Sequence, residues 1–275
     1  MTAPCVVCGG DVVDTSAQWL VRCPSCGQWA SRLTPDFDDP GRAGALDRAA
    51  LSEASTGLRS SNLRRILQAA GPAARVLDVG AGDGMAMDLA ADQGTTCVGI
   101  EPDAALARAC ADRGLDVHHG FFPADLPAGD PFDLVLFNHV LEHVTDPAAT
   151  LSAARDRLAP GGRIVVHSPS AAGSLVGVAR ALNRVGVGGP LERMWWRTFA
   201  SPLLHRFTPA SLARLAERMG LQVVTQGRTA PIQVRGLWGR LGAARALGPR
   251  PRPPSGWGWR AWRRCSACCP GTTSS

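Results

Sequence analysis

Lysine is absent from this sequence of 275 residues, so every cationic side chain other than histidine is arginine. An apolar run long enough to cross a membrane is also absent. The best candidate, 171–189, is interrupted by Arg180 and Arg184 and falls short of the roughly 18 charge-free residues that a spanning helix needs. The N-terminus lacks the basic segment followed by an apolar segment that marks a signal peptide. We therefore expect no transmembrane segment and predict a cytoplasmic location.

Charged residues make up only 19% of the chain and hydrophobic residues 45%, values that exclude a disordered or fibrous chain. These values are typical of a globular protein, and the length allows one large domain with a small appendage. The net charge of +6 is unevenly distributed, because residues 218–275 contain ten of the 29 arginines and no acidic residue. The basic tail, 237–275, either binds an anionic partner, such as RNA or a membrane surface, or is a solvated, disordered segment.

Four of the nine cysteines form two matched pairs, Cys5-x2-Cys8 and Cys23-x2-Cys26, and glycine follows each pair. The two-residue gap lets both sulfurs of a pair face one ion, and the glycine permits a tight turn. Four thiolates complete the tetrahedral shell of zinc and leave no position for water, so the spacing predicts a structural zinc ribbon over residues 1–30. The alternative is unrelated buried thiols or disulfides, and a reducing cytoplasm disfavours disulfides.

After a polar linker, 31–57, β-rich runs alternate with helical patterns. An apolar spacing typical of a helix covers 58–70 and stops at a Gly-Pro pair. This alternation requires a mainly parallel, doubly wound sheet, so the fold class is α/β and Rossmann-like. The predicted strands are 75–79, 96–100, 115–119, 132–137 and 162–167, and the helices between them lie near 84–93, 103–113 and 147–158.

A glycine-rich loop follows the first predicted strand of this series. Asp78 precedes Gly80, Gly82 and Gly84, and glycine at alternate positions lets the backbone pass close to a ligand. The pattern differs from the G-x-G-x-x-G of dinucleotide sites, and the preceding acid suits a cationic ligand better than a diphosphate. Glu101 ends the second strand, where a carboxylate can accept hydrogen bonds from both hydroxyls of a ribose.

The chain resembles the class I S-adenosylmethionine-dependent methyltransferases. The resemblance lies in the order and spacing of the glycine loop, Glu101 and the segments 132–144 and 158–163. The resemblance covers about 75–226 and points to the ubiquinone-biosynthesis-like and natural-product enzymes. It implies a methyltransferase domain over 58–236, with a seven-stranded sheet whose last strand is antiparallel. It also implies an enzyme that transfers a methyl group from S-adenosylmethionine.

The same resemblance assigns roles to the motif residues. It implies that the glycine loop contacts the methionine part of the cofactor, that Glu101 binds the ribose, and that Asn138 belongs to the cofactor site. Family members often place an acid near the adenine after the third strand, whereas this chain has Gly120-Phe121-Phe122. Contact with the adenine is therefore expected to be apolar or through the backbone.

His139, Glu142 and His143 follow the fourth strand at spacings i, i+3 and i+4, which would place them on one helical face. Some members of the resembling family hold magnesium here with a Glu-x-x-Glu-His sequence, and His139 replaces the first Glu of that pattern. Histidine is a poorer magnesium ligand than carboxylate. Two interpretations therefore stay open: a divalent-ion site, or side chains that orient the loop and bind the cofactor.

Residues 169–204 form a long insertion before the final predicted helix, and we interpret it as an acceptor lid. Its Trp195-Trp196 pair could stack on an acceptor or pack in the core. Thr208 is a candidate N-cap for the following helix. His205 precedes that helix, and because the resembling group often has histidine at the pocket mouth, it is the first candidate for a general base. His139 and His143 are the next candidates.

The predicted function is methyl transfer to an oxygen or carbon of a small-molecule acceptor. RNA methylation is an alternative, supported by the zinc ribbon and by the tryptophans interleaved with arginines in the tail. A protein that binds the cofactor without catalysis is a second alternative, which the intact glycine loop and Glu101 disfavour.

Overall fold

A computed structural model describes residues 4–36 and 48–229, where strands and helices alternate as the sequence predicts. The strands are β1 (Val13–Asp14), β2 (Leu20–Arg22), β3 (Trp29–Ser31), β4 (Arg75–Val79), β5 (Thr96–Glu101), β6 (Val117–His119), β7 (Phe132–Asn138), β8 (Leu158–His167) and β9 (His205–Arg206). The helices are α1 (Arg48–Ala70), α2 (Met85–Ala91), α3 (Ala104–Asp112), α4 (Pro147–Asp156), α5 (Ser174–Arg184), α6 (Gly189–Met194) and α7 (Pro209–Arg218). Among these described helices, none is both long and apolar enough to cross a membrane.

Five strands form a parallel sheet in the order β6-β5-β4-β7-β8. The chain runs outward from β4 through β5 to β6, and then returns to the other side of β4 to form β7 and β8. The direction of winding therefore reverses between β4 and β7. In open parallel sheets the loops after two such strands diverge, and ligands bind in the crevice that they leave. The predicted doubly wound α/β fold is confirmed.

Side chains of the parallel strands alternate between two apolar layers. Val76 of β4 and Leu134 of β7 face the layer that holds α1 and α2. Leu77 and Val135, the next residues of the same strands, face the layer that holds α4 and α7. Each such side chain contributes roughly 1.5–3 kcal/mol when it is fully buried. Burial on both faces explains the apolar runs of these strands and fixes the position of their carboxyl ends.

Helix α7 starts where the sequence predicts. Thr208 Oγ1 accepts a hydrogen bond from Ser211 N–H at 3.0 Å, and Ser211 Oγ accepts one from Thr208 N–H at 2.9 Å. This reciprocal cap satisfies two backbone donors at the helix terminus. Helix α1, in contrast, begins at Arg48, well before the predicted start at residue 58.

The N-terminal unit (residues 4–36) shares a sheet with the rest of the chain. Strands β1, β2 and β3 are antiparallel, and β9 adds a fourth strand with Trp29 opposite Arg206. Ser31 strengthens this edge, since its N–H donates to Leu204 O and its hydroxyl donates to Leu203 O, both at 2.8 Å. The sequence predicts a small separate ribbon, and it gives no sign of this pairing because the partner strand lies far along the chain.

The insertion (residues 169–204) packs on the N-terminal unit. Trp195 is fully buried and its ring meets that of Trp19 edge-to-face, with centroids 6.0 Å apart. Asn183 Nδ2 also donates to Ser16 Oγ at 3.0 Å. The shared apolar cluster consists of Ala17, Leu20, Ala179, Leu191, Trp195 and Leu203.

Within the described ranges the main sheet has five strands, two fewer than the seven that the resemblance implies. After β8 the chain builds α5 and α6, and the next strand, β9, pairs with β3 instead of with the main sheet. Residues 221–229 are described and belong to no strand, so the expected antiparallel strand does not lie there. The basic tail, 237–275, lies outside the described residues.

Candidate cofactor crevice and acceptor side

Three glycines shape the loop between β4 and α2. Gly80, Gly82 and Gly84 have positive φ angles of 70°, 58° and 78°. A Cβ atom on Gly80 would lie 2.5 Å from Val140, and one on Gly84 would lie 2.6 Å from Leu115. At Gly82 the nearest atom would be the Gly80 carbonyl oxygen, at 3.9 Å. Packing therefore requires the outer two glycines, whereas Gly82 leaves room for a ligand to approach the backbone.

Glu101 joins this loop to the end of β5. Its Oε2 accepts a hydrogen bond from Gly82 N–H at 2.8 Å, and its Oε1 accepts one from Asp103 N–H at 2.9 Å. The side chain is buried. These two bonds orient the Glu101 carboxylate at the end of β5, and a carboxylate is a group that accepts hydrogen bonds from hydroxyls such as those of a ribose. The structure thus brings together the loop and the acid that the sequence places on neighbouring strands.

Asp78 is buried near the carboxyl end of β4. Burial, together with the negative charges of Glu101 and Asp83, raises its pKa from 3.8 to about 7. A nearby cation would favour the ionised carboxylate and offset this unfavourable environment. The position therefore suits a positively charged ligand, as the sequence predicts.

Polar side chains gather after β7, on one flank of the crevice. His139 Nδ1 lies 3.2 Å from Glu142 Oε1, and the rings of His139 and His167 lie 4.4 Å apart between centroids. His167 Nδ1 lies 2.8 Å from Asn138 Oδ1 and its Nε2 lies 2.9 Å from Thr229 Oγ1. Burial, with the charge of His139, lowers the pKa of His167 to about 4, so that ring is neutral near pH 7.

His167 belongs to this group, although the motifs of the sequence do not single it out. A signal was present, because His167 is the last residue of the predicted strand 162–167 and Asn138 directly follows the predicted strand 132–137, and these two strands pair in the sheet. The carboxyl ends of parallel strands meet at one edge of the sheet, so the two side chains could have been paired. Asn138 thus binds His167 through its side-chain oxygen.

His143 has different surroundings, although it directly follows Glu142. Its Nδ1 lies 2.9 Å from Pro202 O and 3.2 Å from Ser201 Oγ, and its ring centroid lies 5.3 Å from that of Trp196. A 3₁₀ turn at Leu141–His143 replaces the expected helix, so the three side chains predicted on one face do not converge. In the part of the chain that the structure describes, the only converging set of three or more potential metal ligands is the four cysteines.

His205, the first candidate for the base, lies in β9 and is 5% exposed. Burial lowers its pKa to about 4, and its ring lies 5.8 Å from that of Phe207. Neither ring nitrogen has a hydrogen-bond partner among the described residues. A general base must reach the proton that it removes, so this environment favours a packing role for His205.

The segment after β6 provides an apolar surface at the same edge of the sheet. Phe121 is 54% exposed, and the ring of Phe122 packs edge-to-face on Phe137 with centroids 6.1 Å apart. Asp125 Oδ2 accepts a hydrogen bond from Phe121 N–H at 2.8 Å. Asp125 thereby closes the turn, a role that no motif in the sequence indicates. Phe121 remains suited to the apolar adenine contact that was expected.

The N-terminal cysteines form a site that fits zinc. All four Sγ atoms lie within 4.8 Å of one another, with 3.6 Å between Cys5 and Cys26 and 3.5 Å between Cys8 and Cys23. Zn–S bonds of about 2.3 Å in a tetrahedron place the sulfurs roughly 3.8 Å apart. The glycine after each pair has a φ of 73°, as the predicted tight turns require. Donor type and spacing both match the metal.

Comparison with known sequences agrees with this geometry. A family model described as a methyltransferase domain matches residues 52–226. The ubiquinone biosynthesis O-methyltransferase of Dinoroseobacter shibae is 34% identical over 161 residues, which is 54% of this chain and 60% of that protein. The protein of the same name from Xylella fastidiosa is 36% identical over 104 residues, which is 34% of this chain and 42% of that protein. The chain thus spans less than two thirds of the length of either relative.

Comparison with solved structures supports the fold. A complex between the Haloferax volcanii Trm112 methyltransferase activator and a methyltransferase aligns with a TM-score of 0.56 at 17% identity. The alignment covers 72% of this chain and 84% of the matched chain. At this identity the likeness shows the fold alone.

Proposed function

This chain belongs to the class I S-adenosylmethionine-dependent methyltransferases, and we propose that it transfers a methyl group from that cofactor to an oxygen or carbon of a small-molecule acceptor. The observation that carries the proposal is the link between the open Gly82 backbone and the buried Glu101 carboxylate at the crevice. The names of the two relatives support oxygen as the acceptor atom.

The crevice residues fit the parts of the cofactor. The Glu101 carboxylate would accept hydrogen bonds from the ribose hydroxyls, and Asp78 would balance the positive charge of the methionine part. When bound, S-adenosylmethionine supplies an electrophilic methyl group. The protein then has to hold donor and acceptor in line, which provides much of the rate enhancement. The proposed cofactor-binding residues are Asp78, Gly80, Gly82, Gly84, Glu101 and Asn138.

We propose that the insertion (residues 169–204) covers the acceptor. Trp196 is 41% exposed and lies beside His143, so its ring is available to stack on an aromatic or apolar acceptor. Trp195 is buried against the N-terminal unit and has a packing role. His143 is held by Pro202 and would position the insertion over the crevice.

We propose that the cysteine cluster binds one structural zinc ion. Four protein sulfurs fill its coordination shell, so the metal would stabilise the N-terminal unit without contacting the acceptor. We also propose a cytoplasmic location, since four thiolates that bind zinc must stay reduced. Elemental analysis of the wild type and of Cys23→Ser tests this site. Equal zinc content in both would eliminate it.

The arginine-rich composition of the tail supports an anionic partner for residues 237–275. Sedimentation with phosphatidylglycerol vesicles and gel shift with RNA, at matched salt, separate the two sources of negative charge. Small-molecule methylation is favoured over RNA methylation by the names of the two relatives, both ubiquinone biosynthesis O-methyltransferases. Non-catalytic binding is disfavoured by the intact arrangement of Gly82 and Glu101.

The transfer activity is tested in two steps. Mass spectrometry of the purified protein identifies any cofactor that co-purifies with it. Phenols, catechols, sugars and isoprenoid quinol analogues are then screened with methyl-labelled S-adenosylmethionine. We expect label in at least one of these small molecules. Binding of the cofactor without transfer to any of them, but with transfer to RNA, would replace the proposed acceptor class.

A further inference from the structure

A fully buried carboxylate supports a half-exposed histidine at the crevice. Glu142 is 1% exposed, whereas the side chain of His139 is 48% exposed, and 3.2 Å separates Glu142 Oε1 from His139 Nδ1. His139 directly follows β7, and its neighbour Val140 lies against the glycine loop at Gly80. The histidine is therefore accessible at the point where the winding of the sheet reverses.

The backbone fixes His139 in an unusual conformation. Its φ is 61°, in the left-handed region that residues other than glycine seldom adopt. Its N–H donates to His167 O at 2.8 Å, and its ring packs on the His167 ring. Such strain persists only where the surroundings enforce it, and it concentrates at functional sites. The fold thus holds the imidazole in one orientation.

The neighbours of Glu142 favour its ionised form. Burial alone would raise the pKa of Glu142, but the hydrogen bond to His139 and the charges of His139 and His143 outweigh it and lower the pKa. The charge of Glu142 in turn acts on Arg206, a buried residue whose guanidinium donates to Ser170 O. An ionised carboxylate can only accept hydrogen bonds. The 3.2 Å contact with Glu142 Oε1 then places the proton of a neutral His139 ring on Nδ1, which leaves the Nε2 lone pair free to accept a proton.

We propose that His139 is the catalytic residue that takes the acceptor's proton and that Glu142 is its positioning residue. The proposal rests on the proposed function. The acceptor oxygen forms a bond to the methyl carbon while the carbon–sulfur bond breaks, and the electron pair of that bond stays on sulfur. The hydroxyl proton moves to Nε2 of His139. The products are the methyl ether, neutral S-adenosylhomocysteine and an imidazolium paired with the Glu142 carboxylate.

The left-handed backbone dictates which variants test His139. Asparagine and glycine both adopt positive φ readily, so His139→Asn and His139→Gly avoid the strain that alanine would add. Asparagine can also donate to Glu142 but cannot take up the proton. His118→Asn, on β6, is the matched control, because it makes the same change at another partly exposed histidine. Calorimetry with S-adenosylhomocysteine should give near wild-type affinity for all three variants.

The deciding measurements are turnover and ring tautomer. With the acceptor that the screen returns, His139→Asn and His139→Gly should lower kcat by roughly 10²-fold or more, and added imidazole should restore part of the activity of His139→Gly alone. Nitrogen NMR of labelled histidine, with S-adenosylhomocysteine bound, should show His139 protonated on Nδ1 in the wild type and a mixture of tautomers in Glu142→Gln.

Each negative result has a distinct meaning. Wild-type turnover in His139→Asn, or no rescue of His139→Gly by imidazole, would overturn the base assignment while leaving the methyltransferase activity intact. An unchanged His139 tautomer in folded Glu142→Gln would overturn the role of Glu142. If the wild type methylates no acceptor in the screen, the proposed function fails, and the NMR result still decides whether Glu142 sets the tautomer of His139.

Discussion

Replacing Asp78 with asparagine should stabilise the protein at neutral and higher pH while weakening its hold on the cofactor. The carboxyl group has a pKa of about 7 in the folded protein, against 3.8 ordinarily, because it is buried near Glu101 and Asp83. Each unit of difference corresponds to about 1.4 kcal/mol, so ionised Asp78 destabilises the folded state by about 4 kcal/mol. Asparagine removes the charge and keeps the size of the side chain.

The sign of the pH dependence follows from proton binding. Below about pH 4 both states hold the proton, and the group has no effect. Between about pH 4 and pH 7 the unfolded chain loses the proton first, so stability falls as pH rises, and above the folded pKa the loss is complete. From about pH 5 to pH 8 the wild type should therefore lose roughly 2–3 kcal/mol relative to Asp78→Asn.

Urea unfolding of the two proteins without cofactor, across this pH range, measures the difference directly. Titrating groups distant from Asp78 contribute equally to both proteins and cancel in this difference, whereas Glu101 and Asp83 are coupled to Asp78 and form part of the measured effect. In the presence of S-adenosylmethionine the difference should narrow, because the positive charge of the ligand favours ionised Asp78. Parallel stability curves for the two proteins would refute the assigned environment of Asp78.

Three further predictions concern the stability of the fold. Gly80→Ala would combine a left-handed φ with a contact to Val140, so it should lower the free energy of unfolding by at least about 1–2 kcal/mol. Gly82→Ala would meet only the Gly80 carbonyl oxygen, so it should be less destabilising. Equal losses of the two variants in urea unfolding would contradict this. Thr208→Ala should destabilise by about 1 kcal/mol and Thr208→Ser by little, since only alanine removes the cap. Trp195→Ala should destabilise by about 3–5 kcal/mol and expose the insertion to proteolysis; protection equal to wild type would argue against its anchoring there.

Local patterns were sufficient to predict the central part of the fold. Strands β4 and β7 have buried side chains on both faces, so each is an apolar run that the sequence marks directly. Gly80, Gly82 and Gly84 are needed for their backbone conformation, and such a requirement is visible in a single chain. The cysteine pairs were predictable for the same reason, because the geometry of a metal knuckle is local.

Contacts between distant segments were not predictable. The pairing of β3 with β9 joins residues more than 170 positions apart, and neither strand exceeds three residues. The burial of His205 follows from that pairing, so its position before a helix suggested an accessible base that the fold does not provide. The contact of His139 with Glu142 also depends on a 3₁₀ turn, which the helical spacing of the sequence does not reveal.

The central claim is that Glu101 and the glycine loop bind S-adenosylmethionine, and calorimetric titration of that cofactor tests it most directly. Glu101→Ala removes a charged acceptor of the ribose hydroxyls, a loss of roughly 1.5–3 kcal/mol, so the dissociation constant should rise about 10- to 150-fold. Glu192→Ala, which removes a half-exposed carboxylate paired with Arg197, is the matched control and should bind like the wild type. Circular dichroism verifies that both variants fold. Wild-type affinity in folded Glu101→Ala would contradict the assignment of the crevice to this cofactor.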